Sequence, residues 1–192
     1  GISRDPQSKN YIAVIEYASH GSLINYLSKN IKTLTWDKRL TILSDIIQGL
    51  KNIHEGNSVH KDLHAGNILI HNTENKDYTA ISDLGLCHFV SRGLRLQNPN
   101  VVYGVIPYIA PEVLQGRPYT KAADIYSTGV LMWVISSGKQ PFEDRGHDFQ
   151  LQIDICNGMR PEITPDTPQF YQELMESCWN QDPKQRPTIQ TI

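Results

Sequence analysis

An α+β fold that is predominantly helical is the class this sequence predicts, and three observations carry it. Residues 36–54 place Trp36, Leu40, Leu43, Ile46, Ile47, Leu50 and Ile53 at helical spacings of 3, 4 and 7, which is one buried stripe on a long helix. Residues 121–137 are apolar on nearly every face, the mark of a helix enclosed by others. Strand-like runs are few and short by comparison: residues 11–15, 68–71 and 78–82.

Taken in order, residues 1–9 are polar and turn-like, and Tyr11-Ile12-Ala13-Val14-Ile15 reads as a buried strand because it is apolar and β-branched. Glu16-Tyr17-Ala18-Ser19-His20-Gly21 interrupts that pattern, and Ser22 is placed to cap a short helix over residues 23–27. Thr35 caps the long helix, which Gly56 and Asn57 end. The two strands at 68–71 and 78–82 flank the polar tip 72–77 and form a hairpin. Residues 83–112 lack periodicity and are rich in Gly, Asn and Pro, as expected of a functional lid or a disordered segment inside a compact domain. Thr120 caps the enclosed helix and Gly138 closes it. Further helices are expected over residues 149–156 and from Thr167-Pro168 through Cys178, the latter with Tyr171, Leu174, Met175 and Cys178 on its core face.

With 192 residues, 39% of them hydrophobic, the chain is long enough for one domain with a substantial core. A net charge of −2 points to no nucleic-acid footprint and no polybasic membrane patch. The longest apolar run, residues 130–135, falls far short of a membrane span. Cys87, Cys156 and Cys178 are few and widely spaced, which suits a reducing compartment, so a cytoplasmic location is expected. The absence of an initial Met and the position of Ile192 in what reads as a new helix suggest a piece of a longer protein.

The chemistry concentrates in Val59-His60-Lys61-Asp62-Leu63-His64-Ala65-Gly66-Asn67, a loop between the long helix and the hairpin. Asn67 and the later Asp83 offer oxygen donors of the kind that Mg²⁺ accepts, and the hairpin brings them to one end of two paired strands. Asp62 remains as a base or hydroxyl-orienting group. Taken singly, such Asp and Asn residues near turns usually bond local backbone instead. His60 and His64 have the spacing of a zinc pair, but the accompanying Glu is missing and Gly66 argues against a helix there.

The ordered set decides between these readings. His60-x-Asp62-(x)4-Asn67, then Asp83-Leu84-Gly85, then Ala110-Pro111-Glu112 resembles the motif series of protein kinase catalytic domains, most like the tyrosine-kinase-like group of serine/threonine kinases. The resemblance implies a kinase-like fold in which residues 1–18 are the end of the amino-terminal lobe with the hinge, and residues 19–192 the helical carboxy-terminal lobe. It implies ATP and Mg²⁺ as cofactors and a protein as substrate, with no nucleic-acid or membrane partner. By the same likeness Asp62 takes or orients the acceptor proton, and Asn67 and Asp83 hold Mg²⁺. Glu16 to Ala18 stand at the hinge that binds the adenine edge, Ile15 at the gatekeeper position and Leu69 beneath the adenine. Residues 83–112 become the activation segment, with Ser91 and Tyr103 as candidate phosphorylation sites. Asp124 is implied to anchor the catalytic-loop backbone, and Arg186 to pair with a buried Glu112.

The chain also departs from the family pattern. Lys61 replaces Arg before Asp62, His64 stands where serine/threonine kinases carry Lys, Val105 where they carry Thr, and Leu84 replaces Phe. A Gly-rich phosphate loop and a Val-Ala-x-Lys strand do not occur in these residues, so the 192 residues alone are expected to be inactive. The alternative is a pseudokinase-like binding or scaffold module, but retention of Asp62, Asn67 and Asp83 together favours transfer. Tyr108-Ile109-Ala110-Pro111-Glu112, without the inserts typical of tyrosine kinases, favours serine/threonine acceptors.

Overall fold

The computed structural model describes residues 1–72, 77–86, 88–89 and 104–192. The hairpin tip at 73–76, Cys87, and both candidate phosphorylation sites, Ser91 and Tyr103, lie outside the described residues. Six α-helices and six short strands are assigned among those described, so the predominantly helical expectation agrees with the architecture. The strands are β1 (Ile2–Arg4), β2 (Tyr11–Ala13), β3 (Ser58–Val59), β4 (Ile68–Asn72), β5 (Asp77–Ile81) and β6 (His88–Phe89). The helices are α1 (Leu23–Asn30), α2 (Trp36–Glu55), α3 (Pro111–Leu114), α4 (Lys121–Ser137), α5 (Phe149–Cys156) and α6 (Gln169–Cys178). Each sheet is a two-stranded antiparallel pair: β1 with β2, β3 with β6, β4 with β5.

The core is built around α4. Every residue from Ala123 to Ser136 is buried, so no face of this helix meets water. α6 packs so closely on it that a Cβ at Gly129 would lie 2.9 Å from the Trp179 amide nitrogen. α2 supplies Leu43, Ile46 and Leu50 from the stripe read in the sequence, and Ile42 in addition. Its first turn is capped as expected, with Lys38 N–H donating to Thr35 Oγ1 at 3.4 Å.

Three expectations need correction. The apolar run 11–15 is not a buried strand: β2 stops at Ala13, and Tyr11, Ile12, Val14 and Ile15 are all exposed. An apolar run reports a tendency to be covered, but β2 has only β1 on one edge and no residue of the ribbon joins the core cluster. The segment expected to be turn-like contributes β1 to that ribbon. The third concerns α1, which runs on to Asn30 and receives no side-chain bond from Ser22. Ser22 instead forms a bridge with Leu69, while His20 N–H donates to the Ile70 carbonyl and Ile70 N–H to that of Gly21. The linker after residue 18 is thereby laid alongside β4.

Glu112 and Arg186 form a two-pronged ion pair, with Nη1 donating to Oε1 at 2.7 Å and Nη2 to Oε2 at 2.8 Å. Both side chains are buried, and Arg186 also donates to the Asn180 and Ala122 carbonyls. Its guanidinium lies 5.2 Å from the centroid of the Tyr126 ring, which carries Arg160 as well. Four of its five N–H groups are used, which is what keeps a buried cation tolerable.

Arg186→Ala would strand the Glu112 carboxylate in the core, and chemical denaturation should show a loss of about 3–5 kcal/mol. A loss within 1 kcal/mol would mean that water reaches Glu112. Cys178 tests the packing of α6 in another way. Burial pushes its thiol up to about 12, so near pH 8 it is protonated as well as covered. Iodoacetamide should leave it unmodified in the native protein and alkylate it once denaturant is added.

Candidate active site

The site starts from a buried carboxylate. Asp124 enters α4 in its first turn and is almost inaccessible to water, where an unpaired charge is not tolerated. Three donors meet it: His54 Nε2 at 2.9 Å and His60 N–H at 2.9 Å on Oδ2, and Lys61 N–H at 3.1 Å on Oδ1. His54 comes from the end of α2, so two helices and the loop after β3 converge on one side chain. Lys61 sits in the left-handed region at φ 72, costly for a residue with a Cβ. The amide bond to Asp124 helps to hold it there.

His60 is fully buried and extends the connection. The Asp62 amide donates to its Nδ1 at 3.3 Å, so the ring proton resides on Nε2, which donates to the Ser82 carbonyl at 3.1 Å. The loop carrying Asp62 is thus tied to the strand end that precedes Asp83. A second tie runs beside it, since Ser82 donates through both its amide, at 2.8 Å, and its hydroxyl, at 2.9 Å, to the Asn67 carbonyl. The register Ile68↔Ile81 continues that pairing into the hairpin. Both rings are used in these local bonds, and no group of three His, Cys, Asp or Glu suited to a metal occurs among the described residues.

Asp62 and Asn67 are in contact. Asn67 Nδ2 donates to the Asp62 carbonyl at 2.9 Å and to its Oδ2 at 3.2 Å. That orientation reserves Asn67 Oδ1 as an oxygen donor. Asp83 is exposed at the end of β5, in the left-handed region at φ 58 that Asp accepts more readily than most residues. Its charge and that of Asp62 both act on His64. The imidazole is nevertheless shifted down from its ordinary value, chiefly by burial and also by the neighbouring His60. Tyr119 is also near: burial, then the charges of Asp62 and Asp124, push its phenol up, so it stays neutral.

One amide oxygen and one carboxylate at a common strand end suit Mg²⁺, which keeps waters and takes its remaining ligands from phosphates. The donor set therefore fits a nucleotide-bound Mg²⁺ better than a metal held wholly by protein. The residues expected to meet the nucleotide base lie along the adjoining linker. Glu16 is exposed and 3.8 Å from His71 Nδ1. Ala18 is buried and gives its carbonyl to Gly21 N–H at 3.0 Å. Leu69 is half-buried on β4, two positions beyond Asn67. Val14, Ile15 and Leu84 add exposed apolar surface.

Several contributors escaped the sequence reading. His54 had a signal, being a polar residue on the buried stripe of α2, where it needs a partner. His60 enters the sequence reading as half of a possible zinc pair and as the first residue of the ordered motif, but its two bonds have no local mark because they lead to backbone groups of Asp62 and the distant Ser82. Gly104 approaches Asp62, for a Cβ at residue 104 would stand 3.2 Å from Asp62 Oδ1, and Val105 next to it starts the turn Ile106–Tyr108.

Comparison with known proteins adds the following. The family model described as protein tyrosine and serine/threonine kinase matches residues 1–192. Three curated relatives come from Dictyostelium discoideum. "Cyclic GMP-binding protein C" is 34% identical over 93% of this chain and 7% of its own length. A "Probable LIM domain-containing serine/threonine-protein kinase" is 32% identical over 97% of this chain and 28% of its own. "Probable serine/threonine-protein kinase roco8" is 34% identical over 95% of this chain and 10% of its own. The chain thus spans from 7% to 28% of the length of these relatives.

Replacing Asp124 by Ala would leave the His60 and Lys61 amides and the His54 ring without their acceptor. Urea denaturation should report about 2–5 kcal/mol of lost stability. A change below 1 kcal/mol would show that the loop is held by other bonds.

Proposed function

The chain belongs to the protein tyrosine and serine/threonine kinase family, and from that membership we propose that it transfers the γ-phosphoryl group of Mg·ATP to serine and threonine hydroxyls of protein substrates in signalling. One observation supports the reading: Asn67 is bonded through its side chain to Asp62 and through its carbonyl to Ser82, the residue before Asp83. A scaffold needs no such link.

Phosphoryl transfer asks for little covalent work and much positioning. Asp62 receives the proton of the acceptor hydroxyl, and Asn67 keeps its carboxylate oriented. Asn67 Oδ1 and the Asp83 carboxylate would hold Mg²⁺, which would offset the negative charge of the phosphates. Glu16 and Ala18 would receive the adenine edge through the main chain, and Leu69 would lie beneath it. The preference for serine and threonine follows from Tyr108-Ile109-Ala110-Pro111-Glu112 and accords with the names of several relatives. The expected division, with residues 1–18 closing an amino-terminal lobe and 19–192 forming the helical lobe, belongs to the same proposal, as does a cytoplasmic location.

In the intact protein that carries this chain, Asp62→Asn should lower kcat for an acceptor peptide by about 10²–10⁴-fold. Undiminished transfer would overturn the assignment and leave the scaffold reading. Asp83→Asn should abolish the Mg²⁺ dependence of nucleotide binding in calorimetry. The 192 residues alone, lacking a Gly-rich loop and its strand Lys, should show negligible transfer.

A further inference from the structure

The two carboxylate oxygens of Asp62 have different surroundings. Asn67 Nδ2 donates to Oδ2 at 3.2 Å, and His64 Nε2 lies 3.7 Å from that same atom. Oδ1 is turned toward Gly104, where an added Cβ would stand 3.2 Å away. The two groups that address the carboxylate from its own loop therefore share one oxygen, and the other faces the end of the segment that precedes Val105.

His64 is set in place from its far side. Gly66 N–H donates to Nδ1 at 3.1 Å, which assigns the ring proton to Nε2, the nitrogen on the Asp62 side. The ring lies so close over Gly66 that a Cβ there would meet Cε1 at 2.8 Å and Nδ1 at 2.9 Å. Tyr108 flanks it, with ring centroids 6.0 Å apart. Its orientation is thus imposed by a backbone bond, by a missing side chain and by an aromatic neighbour. The separation of 3.7 Å exceeds a hydrogen bond, and such contacts commonly tighten when substrate closes the site.

We propose that His64 is a positioning residue which, with Asn67, holds Oδ2 of Asp62 and so makes Oδ1, on the Gly104 side, the oxygen that takes the acceptor's proton. This rests on the phosphoryl-transfer reading and adds to it which oxygen works and from which side the hydroxyl arrives. The hydroxyl proton passes to Oδ1 while the hydroxyl oxygen bonds to the γ-phosphorus. The bond from that phosphorus to the ADP oxygen breaks, and its electron pair leaves on ADP. Gly104 matters because any side chain there would crowd the approach to Oδ1.

Two substitutions separate the two ends of the imidazole. His64→Asn keeps an acceptor for the Gly66 amide but ends short of Asp62, while His64→Gln carries an amide N–H to about the reach of Nε2. The assay uses the intact protein with Mg·ATP and a serine peptide. His64→Asn should lower kcat between about tenfold and a hundredfold with KM for ATP unchanged, and His64→Gln should recover most of the loss. Both should melt at the wild-type temperature. Gly104→Ala should raise KM for the peptide and leave KM for ATP as it was. Wild-type kcat in His64→Asn, no recovery in His64→Gln, or a peptide KM unmoved in Gly104→Ala would overturn the inference while transfer itself stands. If the intact wild-type protein transfers no phosphate, the functional reading fails and takes this inference with it.

Discussion

A single buried carboxylate governs the arrangement of the site. Asp124 cannot sit ionised inside α4 without donors, and the donors it recruits are the ring of His54 and the amides of His60 and Lys61. Satisfying the charge therefore fixes the backbone immediately before Asp62. The cost of burying Asp124 and the left-handed strain at Lys61 are offset by the same set of bonds. From there the constraint passes through His60 to Ser82, and so to the strand end that carries Asp83.

Ahead of Asp62 the chain is rigid for another reason. The Glu112–Arg186 pair clamps the segment after residue 104 to the stretch that follows α6, and Ser127 holds the Tyr108 carbonyl at 2.7 Å. Gly104 and Tyr108 approach Asp62 and His64 from that side. The loop is thus gripped between two anchored segments, and both anchors combine a buried polar network with apolar packing through Leu63, Ile109 and Val113. Such networks specify geometry more strictly than a greasy contact does, because each donor needs a particular acceptor.

The other face of the molecule is organised differently. The β1–β2 ribbon and the linker to residue 18 expose Tyr11, Val14, Ile15 and Tyr17, and residues 20–22, which follow them, pair with β4. Apolar surface of this extent next to the strand that carries Leu69 suits a site that is covered when occupied.

How much of this was legible follows from the range over which each feature acts. The extents of α2, α4 and α5, the hairpin of β4 and β5, and the order of Asp62, Asn67 and Asp83 could be read directly, because periodicity, caps and motif spacing are local properties of the chain. Even the Arg186 pair could be anticipated only through a likeness to other proteins, since as one charge in a polar run it has no local mark of burial. Tertiary structure alone decided that residues 11–15 are exposed, that Gly104 approaches Asp62, and which nitrogen of His60 and His64 carries the proton. Burial and tautomer depend on what a distant segment places opposite a residue, and adjacency along the chain carries no information about that.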